Sequence, residues 1–316
     1  MLSRIAESLF WVGRYLERAE DTARFLEVHL AGALGNPEMD EEAASRQLLT
    51  VMGIVVPPPD EYTVDAAHVS ERLAFDASSP TSIPGAIGAA RENARGARES
   101  LSSEVWEAIN GTWNALPGQR LAASQLGPFG LLRFVRDRTA AIAGMSDSTL
   151  VRDDGWRFLM LGKYLERADM TARLLTAAAD DPPESATWAE LLRSCGAHEA
   201  FLRTYRRAVD GPGVIEFLLL DRLFPRSVWW SLAQVGQSLS ELDAPGSGRI
   251  GPEDPARRLA GRARVELEYR TTDEIFADLP ELLPRVQRAC SAVSEAVTAR
   301  WFRSESPVQW MMEESA

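Results

Sequence analysis

Apolar residues recur along the opening of the chain at helical spacing. At 100° per residue, Leu9, Val12, Leu16, Ala19, Ala23, Leu26 and Leu30 fall on one arc, with no proline among them. The far side is not a polar face, because Phe10, Trp11, Phe25 and Val28 bracket Arg14, Arg18 and Asp21. A helix that is apolar nearly all round is buried, so its charges need partners once they leave water. The stretch from Gly13 through Tyr15-Leu16-Glu17-Arg18-Ala19 to Leu26 returns as Gly162 through Tyr164-Leu165-Glu166-Arg167-Ala168 to Leu175. The displacement is 149 residues (162 − 13), close to half of the 316 in the chain. It predicts a duplicated lobe, since solenoid repeats recur every roughly 20 to 50 residues.

The helical pattern continues to the end. Glu41 to Gly53 predicts a helix between the stop at Gly35-Asn36-Pro37 and the rigid Pro57-Pro58-Pro59 loop. A helix opened by Ser82 is expected to run past Trp106 toward Asn110-Gly111, with breaks at Pro117-Gly118 and Gly127-Pro128. A helix from Phe129 to about Ala143 then leads to an expected inter-lobe turn at Gly144-Met145-Ser146-Asp147. The second half predicts a core helix to about Ala179, a turn at Asp180-Asp181-Pro182-Pro183, a helix from Ala186 to Asp210, one to Leu242, and helical pattern from Glu253 to Trp301. Asp76, Pro80 and Ser82 recur as Asp221, Pro225 and Ser227, a shift of 145 (221 − 76). Each serine suits an N-cap and each aspartate a turn. No segment alternates as a strand. The expected fold is all-α, a duplicated helical bundle whose pseudo-symmetric lobes, residues 1–150 and 151–316, pack as one globular unit.

The buried charges then divide the readings. The simplest pairing about a pseudo-twofold axis joins Glu17 to Arg167 and Arg18 to Glu166, which makes the motif a structural ion network. A second reading makes Glu17, Arg18, Glu166 and Arg167 catalytic candidates around a central cleft. A third gathers Glu17, Glu20, Glu166 and Asp169 into a carboxylate site for a hard cation such as Mg²⁺. Arg18, Arg24, Arg167 and Arg173 oppose it by neutralising the cluster, and no metal is expected. Elsewhere Arg91, Arg95 and Arg98 share a helix face, with Asn93 and Glu104 nearby. Such a stripe suits a phosphate or carboxylate, or else a solvated face paired with some of the 46 Asp and Glu that outnumber 34 Lys and Arg.

Three sets of residues carry a resemblance. Met1-Leu2-Ser3-Arg4-Ile5-Ala6-Glu7-Ser8-Leu9-Phe10-Trp11 leads into Gly-Arg-Tyr-Leu-Glu-Arg-Ala; Arg91-Glu92-Asn93-Ala94-Arg95 precedes Ser103-Glu104-Val105-Trp106; and Phe217-Leu218-Leu219-Leu220-Asp221 precedes Pro225-Arg226-Ser227-Val228. Nearly end to end the chain resembles the alpha-E family, bacterial all-helical proteins named for a Glu-Arg motif. The resemblance implies partners: circularly permuted ATP-grasp proteins and transglutaminase-like proteins, in systems thought to make amide or peptide bonds. It implies no role for the motif itself.

Composition narrows the picture further. A net charge of −12 disfavours a duplex nucleic-acid binder, which needs a basic surface. The opening has no uninterrupted apolar segment, so neither a signal peptide nor a membrane span is expected. Cys195 and Cys290 stand far apart, as buried thiols of a reducing cytoplasm do. His29, His68 and His198 lack metal-ligand spacing, and no nucleophile signature or cofactor loop is present. Gly246-Ser247-Gly248-Arg249-Ile250-Gly251 matches a dinucleotide fingerprint by letter, but it follows a helix and precedes Pro252 and Pro255, so a flexible loop is expected. The tail from Ser304 is expected to be less ordered, with Trp310-Met311-Met312 available to dock. Two functional classes result: an accessory component that binds a protein, peptide or acidic ligand, and an enzyme of the same system.

Overall fold

Two long helices carry the fold, and the others pack around them. The computed structural model describes residues 1–36, 39–180, 185–242 and 254–302, and every regular element among them is helical. The first half holds α1 (Ser3–Gly35), α2 (Glu41–Val51), α3 (Ala66–Ser70), α4 (Ile83–Gly96), α5 (Ser103–Leu126) and α6 (Phe129–Thr149). The second holds α7 (Asp154–Asp180), α8 (Ser185–Ser194), α9 (His198–Tyr205), α10 (Gly211–Leu220), α11 (Val228–Leu242), α12 (Pro255–Glu268), α13 (Thr272–Ala277) and α14 (Leu279–Val297). No helix among the described residues is long and apolar enough to cross a membrane.

α1 lies against α7. On its own side α1 meets α4 and α6, which share α5; on the other side α7 meets α11 and α14, which share α12. The apolar arc of α1 is inside as its spacing requires: Leu9, Val12, Ala19, Ala23, Leu26 and Leu30 are buried, and Leu16 is half-buried. These residues feed three apolar clusters among the described residues, so α1 ties the core together along its length.

Gly13 and Gly162 set how closely the central helices approach. A methyl group on Gly13 would run into the Leu159 carbonyl oxygen, and one on Gly162 into the Phe10 carbonyl oxygen. The contacts advance together along both helices, from Leu9 on Gly155 to Gly13 on Leu159 and Arg18 on Glu166, so the two run side by side in the same sense.

Details repeat at matching positions. Ser82 Oγ accepts from Gly85 N–H and donates to the Asp76 carbonyl, while Ser227 Oγ accepts from Trp230 N–H and donates to the Asp221 carbonyl. The Asp76 side chain accepts from Ser78 N–H and that of Asp221 from Leu223 N–H, so both aspartates stabilise turns. A further match lies after α2 and α8. Gly53 (φ 74°) and Gly196 (φ 60°) follow those helices in the left-handed region, and Ile54 N–H donates to Leu49 O as Ala197 N–H donates to Leu192 O. That hydrogen bond, reaching back over the helix end, is the one such glycine caps provide. Against Gly53 lies the Arg173 guanidinium of α7, and against Gly196 that of Arg24 of α1.

Several expected boundaries move. The helix opened by Ser82 stops at Gly96, and Ser102 caps a new one by accepting from Val105 N–H. Pro117 sits inside α5, on its exposed side, where the carbonyl it leaves free can turn to water. α6 runs through Gly144-Met145-Ser146-Asp147 to Thr149, so the turn between halves falls at 150–153. The stretch expected as one helix to Asp210 is broken by Gly196 and by Arg206 (φ 50°), and Asp210 caps α10. Most of the Asp180-Asp181-Pro182-Pro183 turn, Pro37, the loop from Gly246 to Gly251 and the tail from Ser304 lie outside the described residues.

The close approach gives the first test. Gly13→Ala and Gly162→Ala should each destabilise the fold by about 1–3 kcal/mol, because a helix backbone must shift to admit the methyl. Gly35→Ala, where nothing lies within 4 Å, should not. Urea unfolding of the three variants measures this, and equal midpoints for all would refute the close-contact account.

Candidate functional site

The helix contact brings the two Glu-Arg dipeptides face to face, since Glu17 and Arg18 lie one turn beyond Gly13, and Glu166 and Arg167 one turn beyond Gly162. Arg167 grips Glu17 with two parallel bonds, Nε to Oε1 at 2.6 Å and Nη2 to Oε2 at 2.8 Å. Arg18 grips Glu166 in the same way, at 2.5 and 3.1 Å. Each arginine also lies over the tyrosine that precedes it, Arg18 over Tyr15 and Arg167 over Tyr164. The pairing expected from symmetry is therefore present. Glu17 and Glu166 are buried at 3% and 0% exposure, Arg167 is buried, and Arg18 is half-buried.

The surroundings of the two pairs differ. Glu166 takes a third bond, from Arg14 Nε at 2.6 Å. The residue matching Arg14 is Lys163, which makes no ion pair within 4 Å among the described residues, and Arg226 takes its place beside Glu17 at 3.2 Å. Arg226 also holds Asp21 and Glu20, each at 2.6 Å. On α7 the residue matching Asp21 is Met170, and the position matching Arg226 is Thr81. An extra charge and its counter-charge thus occur together, on one side only. At the rim Arg24 holds Glu20 and Arg173 holds Asp169 within their own helices.

Burial alone would raise both glutamates, but their arginines outweigh it. Arg167 and Arg226 hold Glu17 at about 2, and Arg14 and Arg18 hold Glu166 below the usual carboxylate range. Burial wins at Asp21: despite Arg226, and with Glu17 and Glu20 adding repulsion, its carboxyl is pushed up to about 7. Its Oδ2 has no hydrogen-bond partner among the described residues. Burial, with Arg167 nearby, also lowers the Lys163 ammonium.

This arrangement is chemically closed. Arg14, Arg18, Arg167 and Arg226 occupy the oxygens that a cation at Glu17 and Glu166 would use, and no group of three or more His, Cys, Asp or Glu is placed to hold a metal among the described residues. The void touching Glu17, Glu20 and Lys163 measures about 40 Å³, room for about one water molecule. The thiols are equally inaccessible: both are buried, and burial pushes Cys195 up to about 12.

The arginine stripe does not converge. Arg91 bonds Asn110 and Glu92, Arg95 bonds the other oxygen of Glu92, and Arg98 lies over Trp106. Asn93 donates to the Ala89 carbonyl, and Glu104 sits exposed in the first turn of α5. The large cavity lies elsewhere: a cleft of about 990 Å³ between the C-terminal half of α1, Arg136 of α6, and the α8–α9 turn. Sequence reasoning missed it, although Gly53 and Gly196 carried a signal, each standing four residues after a Leu-Leu pair.

Residues 1–302 match the Alpha-E family, described as a predicted alpha-helical domain with a conserved ER motif. The chain is also similar to an uncharacterised protein of Mycobacterium bovis and to two of Mycobacterium tuberculosis, at 26% identity over 94% of its own length. It spans only 36% of the length of those relatives. No solved structure matches the chain.

Two tests follow from the charges. Glu17→Ala leaves buried Arg167, and Glu166→Ala leaves half-buried Arg14 and Arg18, without a counter-charge, and each should lose about 3–5 kcal/mol in urea unfolding; parent-like midpoints would remove the network. The pH dependence has two opposite parts. Glu17, depressed from 4.5, contributes stability that is complete above about 4.5 and is lost as pH falls toward about 2. Asp21, raised from 3.8, contributes stability that is present below about 3.8 and is lost as pH rises through about 7. Asp21→Asn should therefore gain on the parent in melting temperature between about pH 4 and about pH 7 and level off above. A constant difference across that range would show that Asp21 stays ionised.

Proposed function

The chain belongs to the Alpha-E family, and from that premise we propose that it is an accessory, partner-binding component of an ATP-grasp-linked system that forms amide or peptide bonds. One observation carries the reading: the Glu-Arg motif is closed on itself. A general acid or base must come within hydrogen-bond reach of the proton it moves. Glu17 and Glu166 are buried, each is held by two arginines, and the void that touches Glu17 admits about one water. In this reading the motif clamps two helices and the surface binds.

The partner proposed is a circularly permuted ATP-grasp protein, with a transglutaminase-like protein as a second. The length of the mycobacterial relatives agrees with a domain that works beside others, since the matched part is 36% of each. We also infer that the chain is an internal duplication, with residues 1–150 and 151–316 as its lobes. The reciprocal Glu-Arg pairs, the Ser82 and Ser227 caps and the Gly53 and Gly196 turns support this. A cytoplasmic setting accords with ATP-dependent ligation and with two unpaired thiols.

Titration calorimetry of the chain with its cognate ATP-grasp protein, alongside assays of nucleotide hydrolysis and amide formation, tests the reading. The expected outcome is a complex, with no turnover by this chain alone. At equal folded fraction, Glu17→Gln should leave the turnover of the complex unchanged. Turnover by the isolated chain, abolished in Glu17→Gln with binding retained, would make the motif catalytic and overturn the accessory role.

A further inference from the structure

The cleft beside α1 differs from the core in one respect: one of its walls carries ionisable groups that make no ion pair within 4 Å among the described residues. Its α1 side is formed by Ala31, Gly32 and Gly35, with open space beside Gly35, while the Arg24 guanidinium covers Gly196. On one wall Arg136 is already held by Glu27. The opposite wall carries Glu190, Arg193, His198 and Glu199, which make no ion pair within 4 Å among the described residues. Glu190 and Arg193 are three apart on one helix, a spacing that permits an ion pair, yet they stay separate. Burial raises the Glu190 carboxyl, and the Arg193 charge nearby offsets part of that rise.

The other half of the chain shows that folding does not need these charges. The turns at Gly53 and Gly196 share their backbone hydrogen bonds at a shift of 143 (196 − 53). At that shift Glu190, Arg193, His198 and Glu199 correspond to Gln47, Thr50, Val55 and Val56. The same turn is therefore built without a single ionisable group at those four positions. Ionisable groups that the local fold does without, making no ion pair within 4 Å among the described residues around one cleft, point to a ligand.

We propose that this cleft binds an extended peptide segment carrying both an acidic and a basic side chain, its carboxylate received by Arg193 and its ammonium by Glu190 and Glu199. Both signs are needed because the wall presents both, and a ligand of one sign would face its own charge. The volume, about 990 Å³, lies at the upper end of the roughly 300–1,000 Å³ of small-molecule sites, which suits a chain of several residues. The inference rests on the partner-binding reading and gives it a place and a chemistry.

The test titrates the isotope-labelled full chain with three end-blocked synthetic tetrapeptides, Lys-Ala-Ala-Glu, Lys-Ala-Ala-Lys and Glu-Ala-Ala-Glu, and follows amide shifts by NMR. The mixed peptide should perturb the amides of Gly32, Gly35 and Gly196 and bind at least tenfold more tightly than either like-charged peptide. Arg193→Glu should weaken it tenfold or more. Gly35→Leu, which projects into open space, should do the same with the melting temperature unchanged. Equal binding of all three peptides, perturbation elsewhere, or no perturbation overturns the proposal. Binding of the ATP-grasp protein, measured in parallel, separates the two failures: a complex indifferent to Arg193→Glu leaves the accessory role standing and sinks the cleft, whereas peptide binding without a complex does the reverse.

Discussion

Two glutamates and two arginines hold the central helices together, and they reach one another only because two glycines let the helix backbones touch. Taking a carboxylate out of water costs several kcal/mol, which a bidentate guanidinium offsets only at close range and in good geometry. Gly13 and Gly162 supply the range, and the parallel course of α1 and α7 supplies the geometry. The contact also fixes register. The reciprocal pairs and the Gly13 and Gly162 contacts belong to one register of the two helices.

Reciprocity extends this logic outward. Arg24 of α1 rests on Gly196 in the second half, and Arg173 of α7 rests on Gly53 in the first. Each central helix thus closes a turn belonging to the opposite half. The apolar core does likewise, with Ile5, Leu9 and Phe10 joining the cluster built mainly by the second half, and Met170 joining that of the first. Neither half has a complete core alone, which couples the whole chain to the α1–α7 contact.

Much of this was legible in the sequence because burial and symmetry act together. An apolar pattern on all sides put α1 inside, a near-identical segment put a second such helix in the chain, and charge neutrality then left few pairings to choose from. Arg226 was not legible as a third partner of that cluster, because its counterpart Thr81 is uncharged and the symmetry argument passes over it. Helix boundaries were misjudged where one residue outweighed the periodicity: Ser102 started a new helix inside a continuous pattern, and exposed Pro117 failed to stop one. The Arg91 stripe had the right spacing for a ligand, but Glu92, adjacent in the chain, takes two of its arginines.

The differences between the matched segments bear on packing and on the proposed binding. At Asp21 and Arg226 a charge and its counter-charge are present together, while Met170 and Thr81 lack both, so the difference is compensated within the core. At Glu190, Arg193, His198 and Glu199, which stand where the first half has Gln47, Thr50, Val55 and Val56, no mutual ion pair within 4 Å forms among the described residues. A compensated difference is what packing requires, since an unpaired buried charge would unfold the chain. An uncompensated one survives only where water remains, and there it is free to meet something outside the chain. By that criterion the Glu-Arg pairs belong to the packing of α1 against α7, and the α8–α9 wall is where the proposed peptide site lies.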